Sequence, residues 1–213
     1  MEKKLENYRR SYEKHELRRH NLEEHPIQQF QNWFLEAEKI PGFEANAMTL
    51  ASIGLDGFPK SRVVLLKSYS AQGFTFFTNY ESEKGKSILK NPKICLSFFW
   101  PEMERQVIVK GNAEKTNAEV SDTYFNSRPL GSRLSAVVSN QSNKIPNRGG
   151  LEEKLKQLEN KNREKPVERP NFWGGFLVKP VSIEFWQGRK NRLHDRFLYT
   201  LQNGAWKIDR LAP

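Results

Sequence analysis

The spacing of apolar residues changes character along the chain. In residues 1–22, Leu5, Tyr8, Tyr12 and Leu17 recur at loosely helical intervals within a highly charged stretch. That predicts an N-terminal helix, which must dock on the rest of the protein or fray, because a lone helix is marginal in water. Pro26 to Ile40 puts Ile27, Phe30, Trp33 and Phe34 on one stripe, with Pro26 in a first helical turn and Pro41-Gly42 as the stop. From Ala47 the period falls to two. AMTLASIG alternates, LDGFPK turns at its Asp-Gly step, and SRVVLLKSY follows as a strand whose VVLL run predicts burial on both faces. Ala71-Gln72-Gly73 turns into FTFFTN. Glu83 to Lys90 reads as a short helix closed by Asn91-Pro92, and KICLSFFW and RQVIVKGNAEKT form a hairpin-like pair.

A helical section comes next. Thr116 to Glu119 has capping-box spacing, and its helix should run to about Arg128, because Pro129 disfavours helix at the residue before it. Gly131 to Val138 predicts a second short helix and Gln141 to Gly150 a polar loop. Leu151, Leu155 and Leu158 give the stripe of a charged helix, and KNREKPVERP is a solvated connector. The end returns to strands: FWGGFLVKP, VSIEFWQG, RFLYTL and AWKIDRL, with a hairpin turn at Gln202-Asn203-Gly204. Six to eight short strands with inserted helices imply a mainly β (α+β) chain, an antiparallel barrel with peripheral helices and not a doubly wound sheet. Neither a Walker loop nor a GxGxxG after a strand occurs, and Gly174-Gly175 reads as a strand bend.

Composition narrows the class. With 14 Phe, 5 Trp and 6 Tyr in 213 residues the chain is too aromatic to be disordered. One cysteine, Cys95 in an apolar run, excludes a disulfide within the chain and a cysteine-based zinc site, so no metal centre is expected. No secretory h-region and no membrane-length apolar run is present, which points to the cytoplasm. The net charge of +10 leaves nucleic acid, anionic membrane and phosphorylated small molecules all open as partners.

Three constellations carry candidate chemistry. Arg62 and Lys67 bracket VVLL, but five residues apart on an ideal strand they point to opposite faces. Tyr124 and Arg128 share a helix face at i, i+4, and Ser132 falls at the start of the next helix, where free N–H groups favour an anion. A hydroxyl, a planar guanidinium and a helix start can clamp a phosphate. The block WQGRKNRLHDR supplies Trp186 as a flat wall, His194 as a group that can donate, accept or titrate, and arginines able to stack on rings. Such a block suits an anionic heteroaromatic ligand. No catalytic triad or carboxylate pair is legible, so a cofactor would do the hard chemistry.

At these residues the sequence resembles the pyridoxine/pyridoxamine 5′-phosphate oxidase family, from about Tyr8 to Pro213. RVVLLK, ERQV, YFNSRP, FWGG, EFWQG, RLHDRF and WKIDRLAP carry the resemblance, in that order. It implies an FMN-binding split β-barrel over residues 26–213, including a C-terminal dimerisation and substrate region, and a homodimer with FMN between subunits. Residues 1–25 would be a helical segment serving as a lid. FMN contacts would come from Arg62, Val63, Val64, Leu65, Leu66 and Lys67, then from Phe77, Thr78 and Lys84. Gln106, Gln141, Ser142, Trp186 and Arg196 would complete them. The substrate phosphate would meet Lys67, Tyr124, Arg128 and Ser132. Arg192, Leu193 and His194 would lie at the pyridine ring, with Arg192 and His194 positioning it, while Arg9 and Tyr12 close over it. Arg189 and Lys190 read as solvated turn residues.

Two positions depart from the family pattern. Glu83 stands where arginine is common and would repel the FMN phosphate, with Lys84 or Lys86 to compensate. Phe77 stands where tyrosine is common. The implied reaction oxidises pyridoxine 5′-phosphate or pyridoxamine 5′-phosphate to pyridoxal 5′-phosphate. A hydride passes from substrate C4′ to FMN, O2 is reduced to H2O2, and pyridoxamine 5′-phosphate also yields ammonia. Another split-barrel flavin reductase would lack the Tyr124–Arg128–Ser132 clamp and the RLHDR block. A nucleic-acid-binding barrel would lose affinity steeply with salt and bind no flavin.

Overall fold

The computed structural model describes residues 4–8, 10–161 and 166–213. Nine strands and five α-helices lie among them. Hydrogen-bonded strand neighbours follow the order β2-β1-β5-β6-β7-β4-β3, with β8 on β7 and β9 on β8. The chain divides into two compact units. One takes the chain up to Thr49, Leu96–Lys110 and Pro180–Pro213; the other takes Leu50–Cys95 and Gly111–Lys179.

In the first unit, α1 (Pro26–Glu38) begins as expected. Pro26 occupies its first turn, and the His25 side chain caps it by accepting from the Ile27 amide at 3.2 Å. Its apolar stripe buries Phe30, Trp33 and Phe34, and Phe30 meets Phe98 at 5.0 Å while Trp33 stands edge-on to Phe185 at 5.3 Å. The C-terminal half of β7 (Trp173–Gln187), β8 (Asp195–Gln202) and β9 (Ala205–Leu211) form an antiparallel meander. Asn203 and Gly204 have φ of 50° and 82°, which gives the two-residue turn that matches strand twist.

The expected N-terminal helix is not formed. Residues 4–8 and 10–18 contain no helix, and only a 3-10 turn, Arg19–Asn21, precedes α1. Tertiary acceptors replace the helical ones: the Glu13 and Lys14 amides donate to the Glu104 carboxylate at 2.8 and 3.0 Å, and the Leu17 amide to Asp195 at 3.1 Å.

The second unit pairs β4 (Gly73–Asn79) with β3 (Ser68–Ser70) on one side and the N-terminal half of β7 on the other. FWGGFLVKP and VSIEFWQG are therefore one strand, not two, and it runs through Pro180. Gly175 is dictated by packing: a Cβ there would lie 2.7 Å from Thr116 Oγ1 and 2.9 Å from Phe77. β2 (Pro59–Leu65) is not buried on both faces, since Val63 is 68% exposed. The remainder of β1 (Ala47–Ile53), β5 (Lys93–Trp100) and β6 (Arg105–Lys115) follow the expected bounds, with Cys95 half-buried on β5.

Four helices accompany these strands: α2 (Glu83–Lys90), α3 (Ala118–Ser127), α4 (Leu130–Val138) and α5 (Gly149–Lys161). Asn117, not Thr116, caps α3 by accepting from Val120 at 2.8 Å, while the Thr116 hydroxyl bonds Ser121 instead. Phe125, Leu134, Val167 and Trp173 form a small core against which Leu155 and Leu158 of α5 pack.

Candidate functional site

A cavity of about 610 Å³ opens in the second unit. Strand ends, α3 and α4 converge on it. β2 contributes Val63, Val64 and Leu65, with Lys67 just beyond; β4 contributes Phe77, Thr78 and Asn79; α2 contributes Lys84. Tyr124 and Arg128 enter from one face of α3, as i, i+4 spacing requires, and Ser132 enters from the first turn of α4. The Ser132 amide donates to Pro129 O at 2.9 Å, so its hydroxyl rather than its N–H is left for a ligand.

One wall is aromatic. Phe77 stacks on Tyr124 at 4.0 Å and on Trp173 at 5.7 Å. Arg128 lies over the Trp173 ring at 4.7 Å, and Lys67 Nζ is 5.9 Å from the Tyr124 centroid. Lys67, Lys84 and Arg128 are its charged groups, and no aspartate or glutamate is among the described residues that line it. Arg128 Nη1 is buried without a hydrogen-bond partner. Burial, with Arg62 nearby as a second cause, lowers Lys84 to a pKa of about 8. Its Nζ donates to Gln141 Oε1 at 2.8 Å, and Thr78 Oγ1 approaches the same oxygen at 3.4 Å. A buried Nη1 without a partner and a desolvated lysine suit a phosphorylated ligand, whose oxygens would satisfy both.

Not every expected contact reaches this cavity. The Arg62 guanidinium is held by Ser52 Oγ at 2.8 Å and Lys60 O at 3.2 Å, and Leu66 lies in the core at 3% exposure. Ser142 is exposed, with φ of 75°. Glu83 pairs with Lys60, which also bonds Asp56 at 2.9 Å, while Lys84 lines the cavity. Sequence reasoning gave no role to Trp173, Asn79 or Ser139. The FWGG motif was a signal for the first. The Asn79–Ser139 bond of 3.3 Å joins positions 60 apart and has no local signature.

The WQGRKNRLHDR block sits in the first unit. Trp186 and Arg196 pair across β7 and β8, and the Trp186 and His194 rings lie 4.6 Å apart. Tyr12 stands edge-on to Trp186 at 5.8 Å. His194 Nδ1 accepts from the Arg189 amide at 3.1 Å, which leaves Nε2 as the donor of the neutral ring. Burial, with Arg192 and Arg196 adding to it, lowers the His194 pKa, so neutral imidazole prevails at pH 7. Arg192 has φ of 61°, follows Asn191 at 55°, and lines a cavity of about 900 Å³ with Tyr8, Tyr12 and His194. Leu193 is exposed and Gln106 half-buried on β6. Arg196 is engaged by Glu184 at 2.8 Å and Ala212 O at 3.0 Å. Arg189 and Lys190 are not merely solvated: they bond Glu16 at 3.1 Å and Glu13 at 2.9 Å. Arg9 lies outside the described residues.

Antiparallel pairing, peripheral helices and a cationic, aromatic-walled cavity define a flavin-dependent oxidoreductase of the split-barrel class. The chain belongs to the pyridoxine/pyridoxamine 5′-phosphate oxidase family. The family model for pyridoxamine 5′-phosphate oxidase matches residues 36–162, and the pyridoxine 5′-phosphate oxidase C-terminal dimerisation region matches residues 173–213. A pyridoxine/pyridoxamine 5′-phosphate oxidase of Flavobacterium johnsoniae is 60% identical over 210 residues, 98% of each chain. That of Flavobacterium psychrophilum is 58% identical over 213 residues, covering 99% of this chain and 100% of its own. Among solved structures, PhzG from Burkholderia lata 383, in complex with tetrahydrophenazine-1-carboxylic acid, superposes with a TM-score of 0.86 at 25% identity, over 91% of this chain and 95% of its own. A pyridoxamine 5′-phosphate oxidase-related, FMN binding protein from Nostoc punctiforme shares the fold at a TM-score of 0.71 and 16% identity, over 90% of this chain and 100% of its own. Among the described residues no helix is long and apolar enough to cross a membrane.

Proposed function

We propose that the chain oxidises pyridoxine 5′-phosphate and pyridoxamine 5′-phosphate to pyridoxal 5′-phosphate, with FMN as its flavin, in the cytoplasm. The observation that carries this reading is the cavity that holds Lys67, Lys84 and Arg128, with no acid among the described residues lining it and with the unpartnered Arg128 Nη1. Lys67, Arg128 and the hydroxyls of Tyr124 and Ser132 hold the substrate phosphate. Val63, Val64, Leu65, Phe77, Thr78, Lys84 and Gln141 hold FMN at a homodimer interface, joined by Gln106, Ser142, Trp186 and Arg196.

When bound, FMN would supply the two-electron acceptor for the oxidation at substrate C4′, and the two electrons and two protons removed there would end on O2 as H2O2. The protein's own work is positional. The phosphate clamp fixes one end of the substrate, while Arg192, Leu193 and neutral His194, donating from Nε2, orient the ring. Tyr12 closes over it and excludes water. Reacting atoms must be held at roughly 3–3.5 Å for such a transfer. With pyridoxamine 5′-phosphate the product imine is hydrolysed and ammonia leaves.

The test is peroxide release from pyridoxine 5′-phosphate by the FMN-loaded protein. Peroxide and pyridoxal 5′-phosphate should appear in equal amounts. A yellow, flavin-loaded protein that releases none refutes the activity.

A further inference from the structure

Glu104 is a carboxylate buried to 2% exposure, at a left-handed φ of 54° between the 3-10 turn Pro101–Met103 and β6. Its carbonyl accepts from the Gly188 amide at 2.7 Å and from Gln187 Nε2 at 3.2 Å, so its backbone is fixed. The carboxylate faces the N-terminal segment. One oxygen accepts the Glu13 and Lys14 amides at 2.8 and 3.0 Å, and Arg10 lies 3.6 Å from the other. A buried carboxylate stripped of its donors is strongly unfavourable, so the segment and Glu104 hold each other.

The seat for the neighbouring ring is equally specific. A Cβ on Gly188 would lie 2.8 Å from Tyr12 Cβ and Cγ. Only glycine there leaves room for Tyr12 to stand edge-on to Trp186 and 6.1 Å from His194.

We propose that Glu104 is a positioning residue for the oxidation: its carboxylate holds the amides of Glu13 and Lys14 and thereby sets Tyr12 against Trp186 and His194. The link to turnover rests on the reading of Trp186 and His194 as flavin and substrate contacts. Glu104 touches neither.

Hydrogen exchange and steady-state kinetics on the FMN-loaded protein test it. In Glu104→Ala, the amides of residues 13 and 14 should exchange roughly tenfold faster while those of β8 and β9 keep their rates. KM for pyridoxine 5′-phosphate should rise about fivefold, with kcat and FMN affinity within about twofold. Glu104→Gln retains an acceptor oxygen and should restore most of both. Lys14→Pro deletes one of the two amides from the segment's side and leaves the strands untouched, so it keeps the test open should Glu104→Ala fail to fold. It should speed exchange at Glu13 and raise KM by more than Lys14→Ala does, since that variant keeps the amide and removes only the side-chain bond from Lys14 Nζ to Glu102 O at 2.6 Å. Unchanged exchange at Glu13 in Lys14→Pro, faster exchange with KM unmoved, or Glu104→Gln behaving as Glu104→Ala would each overturn the proposal. Absence of oxidation by the unaltered protein overturns the reading of the site instead, before any variant is made.

Discussion

Arg128 carries the sharpest test of the cavity's chemistry. Its Nη1 is buried and unpartnered, so a ligand phosphate would complete it. A charge-assisted bond contributes roughly 1.5–3 kcal/mol. Arg128→Ala should therefore raise KM for pyridoxine 5′-phosphate by roughly ten- to a hundredfold. FMN affinity should hardly move, and equal losses of both would show that the contacts are divided wrongly. Lys84 makes a second prediction. Its pKa is about 8, lowered chiefly by burial, so it is charged below pH 8 and neutral above. A phosphate binds the charged form better, so FMN affinity should fall as pH rises through about 8. Fluorescence titration of FMN from pH 6.5 to 9.5 checks this, and Lys84→Arg should flatten the profile. Residues this close in sequence were legible: Tyr124, Arg128 and Ser132 could be placed together because helical spacing and Pro129 fix them. Arg62 could not, because its partner Ser52 lies on another strand and depends on register. The Lys60–Glu83 pair, 23 positions apart, was hidden for the same reason.

At the scale of elements, local signals read best where the chain supplies its own caps. α1 and α2 start where Pro26 and Glu83 predict, because His25 and Ser82 satisfy their first amides from the adjacent sequence. The N-terminal segment failed because its amides are satisfied by Glu104 and Asp195, 91 and 178 positions away. Apolar spacing cannot report such partners. β7 failed in the opposite sense: Pro180 looked like a break between two strands, yet antiparallel partners flank it on β4 and β8, and the strand passes through. The start of α3 is a near miss with a measurable consequence. Asn117 caps it, so Asn117→Ala should cost about 1 kcal/mol of unfolding free energy in urea. No loss on that substitution would return the cap to Thr116.

The whole molecule poses the question of assembly. Residues 173–213 match a dimerisation region, and the VVLL run read as buried on both faces leaves Val63 68% exposed. A second copy of the chain can supply the missing cover, and exposed apolar surface is what dimers bury. If FMN sits at that interface, flavin binding and dimerisation are one linked equilibrium. A ligand that binds only the dimer stabilises it by about 2.7 kcal/mol at a concentration a hundred times its dissociation constant, which is roughly a hundredfold in association. Sedimentation equilibrium with and without FMN should therefore show a much tighter dimer when flavin is present. Reciprocity gives the companion measurement: at fixed, limiting FMN, dilution of the protein should release flavin more steeply than one-to-one binding allows. An unchanged dimer constant in saturating FMN, with flavin demonstrably bound, would mean that one chain holds the cofactor alone, and the interfacial placement would fall while the oxidase activity could stand.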